Sequence, residues 1–262
     1  MKKWMKLTAL VLSLAMALSL LAGCGSSAGS DADSSTIGGD DAAKTKLVVA
    51  TSPDFPPFES LEGGQVVGIE VDILNKVAEK MGMELDIQQM DFDSVIPGVQ
   101  AGKFDVGMSG ITVTEKRKAN VDFSSVYFMA AQAIVVTADS GITGKADLEG
   151  KTVSVQTGTT AEDYCMANGY EVLAFTANND AAAALTGGKV DAWVVDNEVA
   201  LAMAPQLGLT VLDEAMTSEP YAFAFQKGSE LLSSFNEALD ALLADGTVEQ
   251  IFSDYGVTYI AP

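Results

Sequence analysis

The sequence predicts an α/β protein of two lobes, each a mostly parallel sheet flanked by helices, with a hinged cleft between them. Two observations carry this expectation. From Leu47 onward, short apolar runs of strand length alternate with segments of helical period, the pattern of parallel sheets covered by helices. The alternation then restarts near Thr152, and two rounds imply two lobes. In open α/β sheets, ligands sit beyond the carboxyl ends of the strands, so two such lobes face each other across a cleft.

The first round opens with Leu47–Ala50, a short apolar strand, and a Pro-rich loop over 52–60. Ile69, Ile73, Val77 and Met81 recur every fourth residue, one face of a helix that Gly82 stops. Glu84–Met90 reads as a strand, Phe92–Gln100 as a helix with Asp93 as its cap, Phe104–Met108 and Ala131–Thr137 as strands. In the second round Thr152–Gln156, Glu171–Phe175, Val190–Val195 and Leu209–Leu212 are strands, with helices over 161–168, 179–187 and 197–207 between them. Tyr221–Gln226 reads as a strand crossing back, and helices over 229–244 and 247–255 finish the chain.

Composition excludes several functions. The formal charge of −21 repels phosphate backbones, which argues against nucleic acid as a partner. With no histidine in the chain, there is no Ser-His-Asp triad, no Cys-His pair and no His-ligated metal site. No cofactor is expected. The cysteines are Cys24 and Cys165. Cys165 is expected as a small buried helix residue.

The first residues read as an address. Met1–Lys6 is basic, and Leu7–Leu21 is almost wholly apolar but short of the roughly 20 residues a permanent span needs. It ends in Leu21-Ala22-Gly23-Cys24, which resembles the lipobox of bacterial lipoproteins. That resemblance implies a signal peptide over 1–23 and a lipidated Cys24 that becomes the new N-terminus and anchors the protein to the membrane. Residues 24–45 are mostly Ser, Gly, Asp and Ala, too polar to order themselves, and read as a flexible tether.

Four segments of the folded body carry a second resemblance: Ser52-Pro-Asp-Phe-Pro-Pro-Phe-Glu59, then Phe104-Asp-Val-Gly-Met-Ser-Gly-Ile-Thr-Val-Thr-Glu-Lys-Arg117 with Val121-Asp-Phe-Ser124, then Gly150-Lys-Thr-Val-Ser-Val-Gln-Thr-Gly-Thr-Thr160, and Gly188-Lys-Val-Asp-Ala-Trp-Val-Val-Asp196. In this order they resemble the family 3 extracellular solute-binding proteins, the polar amino-acid branch that serves ABC transporters. The resemblance spans roughly Lys46 to the C-terminus. It implies the type II periplasmic-binding-protein fold, capture of an amino acid without catalysis, and delivery to a permease by a monomer.

The chemistry is consistent. An amino-acid carboxylate suits a planar, permanently charged fork, and Arg117 is the only arginine in the chain. It sits in Thr114-Glu-Lys-Arg, a helix start. The resemblance implies that the Gly110 carbonyl accepts from the ligand ammonium and Thr112 donates to its carboxylate. Gly110 also fits as a simple turn glycine and Thr112 as a loop hydroxyl. Gln156-Thr157-Gly158-Thr159-Thr160 reads as strand, turn and helix start, offering N–H groups to an anion. The resemblance singles out Thr160, with Thr159 shaping the turn; N-capping alone also explains them.

Asp196, at a strand end, suits the ammonium or a helix cap, whereas Trp193 points the other way by strand alternation. The resemblance places Phe55 and Phe92 beside the ligand side chain, although Phe92 also reads as core. Ser52 and Gln156 fall at pocket-lining positions. Basic amino-acid binders of the family often carry an aspartate where this chain has Ser52, so the ligand stays open between glutamine, arginine and other polar amino acids.

The expected first lobe is 46–136 plus 221–262, and the second 137–220, with a hinge where the chain crosses between them. A dehydratase of the same fold and a ligand-sensing lipoprotein are the alternative readings.

Overall fold

The structure, a computed structural model, describes residues 45–262. The signal peptide, Cys24 and most of the tether lie outside the described residues. The chain begins with β1 (Lys46–Thr51), β2 (Asp54–Phe55), β3 (Glu59–Glu62), β4 (Gln65–Val67), α1 (Ile69–Met81), β5 (Glu84–Gln89) and α2 (Phe92–Gln100). Next come β6 (Val106–Gly107), α3 (Glu115–Lys118), β7 (Val121–Phe123), β8 (Phe128–Ala130) and β9 (Gln132–Val136). The second round is β10 (Thr152–Gln156), α4 (Thr160–Ala167), β11 (Glu171–Phe175), α5 (Asn178–Thr186), β12 (Ala192–Asp196), α6 (Asn197–Met203) and β13 (Thr210–Val211). The chain ends with β14 (Glu219–Tyr221), β15 (Ala224–Gln226), α7 (Leu231–Ala244) and α8 (Thr247–Asp254).

These elements build two five-stranded sheets, ordered β5-β1-β6-β15-β7 and β11-β10-β12-β9-β13. Each sheet is mixed, with four strands running one way and a fifth, β15 or β9, opposing them. β1 pairs parallel with β5 and β6, and β10 parallel with β11 and β12, but β15 and β9 run antiparallel to their neighbours. The physical reason is connectivity. A helical crossover returns the chain in the same direction, whereas β9 and β15 follow passages of the chain between the sheets and enter from the opposite end.

Those passages also correct the expected lobe boundary. Gln132–Val136 was placed with the first lobe, yet β9 pairs with β12 and β13 in the second sheet. The chain has crossed before this apolar run, at β8, which pairs antiparallel with β14 on the way back. β8 and β14 form a two-stranded ribbon between the two sheets. The Pro-rich loop also holds more structure than expected, since β2, β3 and β4 make a small antiparallel sheet.

Local packing follows the pattern. Ile69, Ile73, Leu74 and Val77 of α1 are fully buried, and Gly82 ends the helix in the left-handed conformation. In α2 the cap is Asp91, not Asp93, and its side chain makes no cap hydrogen bond. The ribbon is seated on an aromatic cluster. The Phe128 ring stacks on Phe252 of α8 at 4.5 Å between centroids, and Phe58 meets Tyr221 edge-on at 5.3 Å. Such pairs prefer these offset and edge arrangements, and they fix the direction of Tyr221. Cys165 is buried in α4, and burial pushes its thiol up to about 12. Trp193 is fully buried in a hydrophobic core.

Candidate functional site: a closed cleft between the lobes

The carboxyl ends of β1, β6, β10 and β12 converge on one cavity. From the first lobe it is lined by Phe55, Phe92, Ser109, Gly110, Thr112 and Arg117. The second lobe supplies Gln156, Thr159, Thr160, Ala161, Asn178, Val194, Val195 and Asp196. The empty space between these walls, counted out to its open mouth, is about 340 Å³. Hydrogen bonds cross from wall to wall, from Arg117 to the Gly158 carbonyl and from the Asn178 amide to Asp54, so the lobes are closed on one another.

Arg117 reaches into this space from α3. Thr114 caps that short helix, its hydroxyl accepting from the Arg117 amide at 3.1 Å. The guanidinium donates from Nη1 to the Thr112 carbonyl at 2.9 Å and from Nη2 to the Gly158 carbonyl of the other lobe at 3.1 Å. Its carbon stands 5.5 Å from the centre of the Phe92 ring, within the range of a cation–π contact. Burial draws the guanidinium pKa down, against the opposing pull of Glu219, Asp196 and Asp163.

Asp196 closes the opposite side. The Tyr221 hydroxyl and the Gln132 amide both donate to it. Burial raises its pKa well above the carboxylate range, and the nearby Glu219 adds to that rise. Its side chain makes no cap hydrogen bond to α6. Tyr221 and Gln132 thus tie the carboxyl to β14 and β9, the strands through which the chain passes between the lobes.

Gly110 has φ +51°, and a Cβ there would stand 2.5 Å from Cε1 of Phe55, so the turn needs glycine. Thr159 caps α4: its hydroxyl accepts from the Glu162 amide at 3.2 Å and donates to the Gln156 carbonyl at 2.7 Å. Thr160 Oγ1 accepts from Gln132 Nε2 at 3.3 Å. The N–H groups expected to be open at this helix start are partly taken, since Gly158 N–H already donates to Glu162 Oε2 at 2.6 Å.

All of the expected site residues except Ser52 line the cavity. Ser52 is buried beside it, and its hydroxyl turns to Asp54 at 3.0 Å. Asp54 was missed in the sequence. It bridges the lobes, accepting from the Asn178 amide at 2.7 Å and from Gln156 Nε2 at 3.3 Å. Burial raises the Asp54 pKa against those hydrogen bonds. Ser109, Asn178 and Glu219 were also missed. Ser109 and Asn178 adjoin singled-out residues or a helix start, a usable signal. Glu219 carried none: it is buried in β14, and its side chain makes no hydrogen bond or ion pair among the described residues.

A closed cleft between two α/β lobes, with one buried guanidinium on one wall and a carboxyl on the other, defines a binding protein for a small charged solute. The chain matches the bacterial extracellular solute-binding proteins, family 3, over residues 47–258. It belongs to that family, and its fold is the two-lobed periplasmic-binding-protein fold. It is 34% identical to the arginine-binding extracellular protein ArtP of Bacillus subtilis, over 96% of each chain. Among solved structures, an ancestral arginine-binding protein bound to glutamine is 41% identical, with a TM-score of 0.77 over 81% of this chain and 98% of that one. The arginine-, lysine-, histidine-binding protein ArtJ from Geobacillus stearothermophilus is 33% identical, with a TM-score of 0.77 over 83% of this chain and 96% of that one.

Proposed function

We propose that this protein captures a polar α-amino acid outside the cytoplasm and delivers it to an ABC transporter permease. The observation that carries the reading is the chain's sole arginine, buried in the cleft and facing a carboxyl from the other lobe. Arg117 takes the ligand carboxylate, with Thr112 and the Thr159–Thr160 helix start as further donors, and Asp196 takes the ammonium. Ligand first binds one lobe and the second closes over it. Closure expels water, which strengthens both charged contacts. The permease then engages the closed form. The lipid on Cys24 and the tether hold the protein at the membrane surface.

Within that class we assign arginine as the preferred ligand. Asp54 supplies a carboxylate beyond what the two ends of a zwitterion require, and the Phe55 and Phe92 rings suit a guanidinium face. Relatives named for arginine support the assignment. The test is calorimetric titration with the twenty amino acids and with citrulline, the neutral isostere of arginine. Arginine should bind most tightly, and Asp54→Asn should cut its preference over citrulline by about tenfold, the loss of one charged hydrogen bond. An unchanged preference in that variant removes the arginine assignment. No binding of any amino acid removes the functional reading itself.

A further inference from the structure

Among the described residues, most lysine–carboxylate ion pairs stay within one lobe. Lys76–Glu79, Lys118–Glu115 and Lys227–Asp122 belong to the first, Lys145–Glu214 and Lys151–Asp191 to the second. One pair crosses. Lys116 of α3 donates from Nζ to both carboxylate oxygens of Asp163 in α4, at 3.0 and 2.9 Å.

This pair sits at the rim of the cleft. Lys116 adjoins Arg117 in the chain, yet its side chain is 75% exposed and that of Asp163 55%. Asp163 stands in the first turn of α4, the helix whose start at Thr159 and Thr160 lines the cavity. The same two segments meet again further in, where the buried Arg117 guanidinium donates to the Gly158 carbonyl. Packing there is close: a Cβ on Gly158 would stand 3.1 Å from the Cβ of Asp93 in α2. The ion pair therefore joins the lobes on the solvent side of the arginine. Asp163 is one of the acids that draw the Arg117 pKa upward, so its charge is felt at the guanidinium. Both its oxygens nevertheless rest on Lys116, while Arg117 donates to the Thr112 and Gly158 carbonyls.

An exposed pair of this kind contributes little to folding. Across a cleft it acts on a different equilibrium. Opening the lobes separates the two charges and closing brings them into contact, so its whole strength favours the closed form. A ligand enclosed by the lobes leaves only after they part. The pair therefore slows departure and leaves arrival unchanged.

We propose that Lys116 and Asp163 form a salt-sensitive latch across the cleft mouth, holding the lobes together over the bound amino acid. Neither residue lines the cavity; both are positioning residues that act through Arg117 and the start of α4. The proposal rests on the reading of the cleft as an amino-acid site.

The test exchanges the charges. Arginine is titrated into the full chain, Lys116→Glu, Asp163→Lys and the double variant carrying both. Each single reversal sets like charges against each other, and the double variant restores an opposite pair. Each reversal also alters the field felt by the cationic ligand, but that part is additive and drops out of the double-mutant cycle. At low salt the double variant should bind arginine about tenfold more tightly than the two single changes together predict. The gain should lie in the dissociation rate, read by displacement of labelled arginine. It should shrink at about 0.5 M sodium chloride, where charges are screened over about 4 Å. Additive changes, meaning a coupling below about threefold, overturn the proposal. So does a coupling that persists at high salt or resides in the association rate. Thermal unfolding controls for folding. Should a reversal fail to fold, Lys116→Gln and Asp163→Asn form a milder cycle, in which a coupling of about threefold is expected and none overturns the latch. If the unaltered chain binds no amino acid, the functional reading fails and the latch with it; binding with additive changes removes the latch alone.

Discussion

Replacing Arg117 by lysine keeps the positive charge of the cleft and removes its fork. The guanidinium is tied to the Thr112 carbonyl at 2.9 Å and, across the lobes, to the Gly158 carbonyl at 3.1 Å, and it lies against the Phe92 ring. Its remaining N–H groups are the ones left for a ligand carboxylate. A lysine ammonium has three donors on a flexible stem and cannot meet a carboxylate bidentately while holding both carbonyls. At least one charged hydrogen bond is lost, about 1.5–3 kcal/mol, and the stacking contact contributes about 1 kcal/mol more. Together these weaken binding by about a hundredfold or more, at about 1.4 kcal/mol per decade. Arg117→Ala should abolish binding. The assay is calorimetric titration with arginine, with thermal unfolding of the free protein as the control for folding. A lysine variant that binds within threefold of the unaltered protein refutes the assignment of Arg117 to the carboxylate.

Two further outcomes are expected. Gly110→Ala forces a Cβ to 2.5 Å from the Phe55 ring at φ +51°; overpacking of this kind costs about 1–3 kcal/mol, read as a fall in Tm together with weaker amino-acid binding. Glu198 is buried, with one carboxyl oxygen accepting from Asn197 Nδ2 at 2.8 Å and the other without a partner among the described residues, and burial raises its carboxyl from 4.5 to about 7. A carboxyl raised in the folded state binds its proton more tightly there than in the unfolded chain, so stability is full below 4.5 and falls as pH rises to about 7. At 1.36 kcal/mol per unit, and reduced for residual solvent screening, the loss is about 2 kcal/mol. Glu198→Gln should flatten this decline in Tm measured against pH, and an unchanged slope refutes the attribution.

Periodic and terminal signals in the sequence determined the strands and helices closely. The α1 stripe of Ile69, Ile73 and Val77 and the apolar run of β10 are local patterns, because a helix or strand exposes its period in adjacent residues. The lone arginine could be picked out for a similar reason: a residue type used once, within a recognisable segment, is conspicuous without any structure. Asp196 was marked by its place at a strand end, and Gly110 by the recognisable segment that contains it.

Tertiary structure decided the rest. It placed β9 in the second sheet, since strand pairing is a choice of partner that no local period encodes. It turned Ser52 toward Asp54, and made Asp54 the bridge to Asn178, 124 residues away. It also set Asp163 against Lys116 across the cleft. Asp54 reads in the sequence as one more acid in an acidic chain; only burial, which removes water and makes neighbouring charges count, gives it its role.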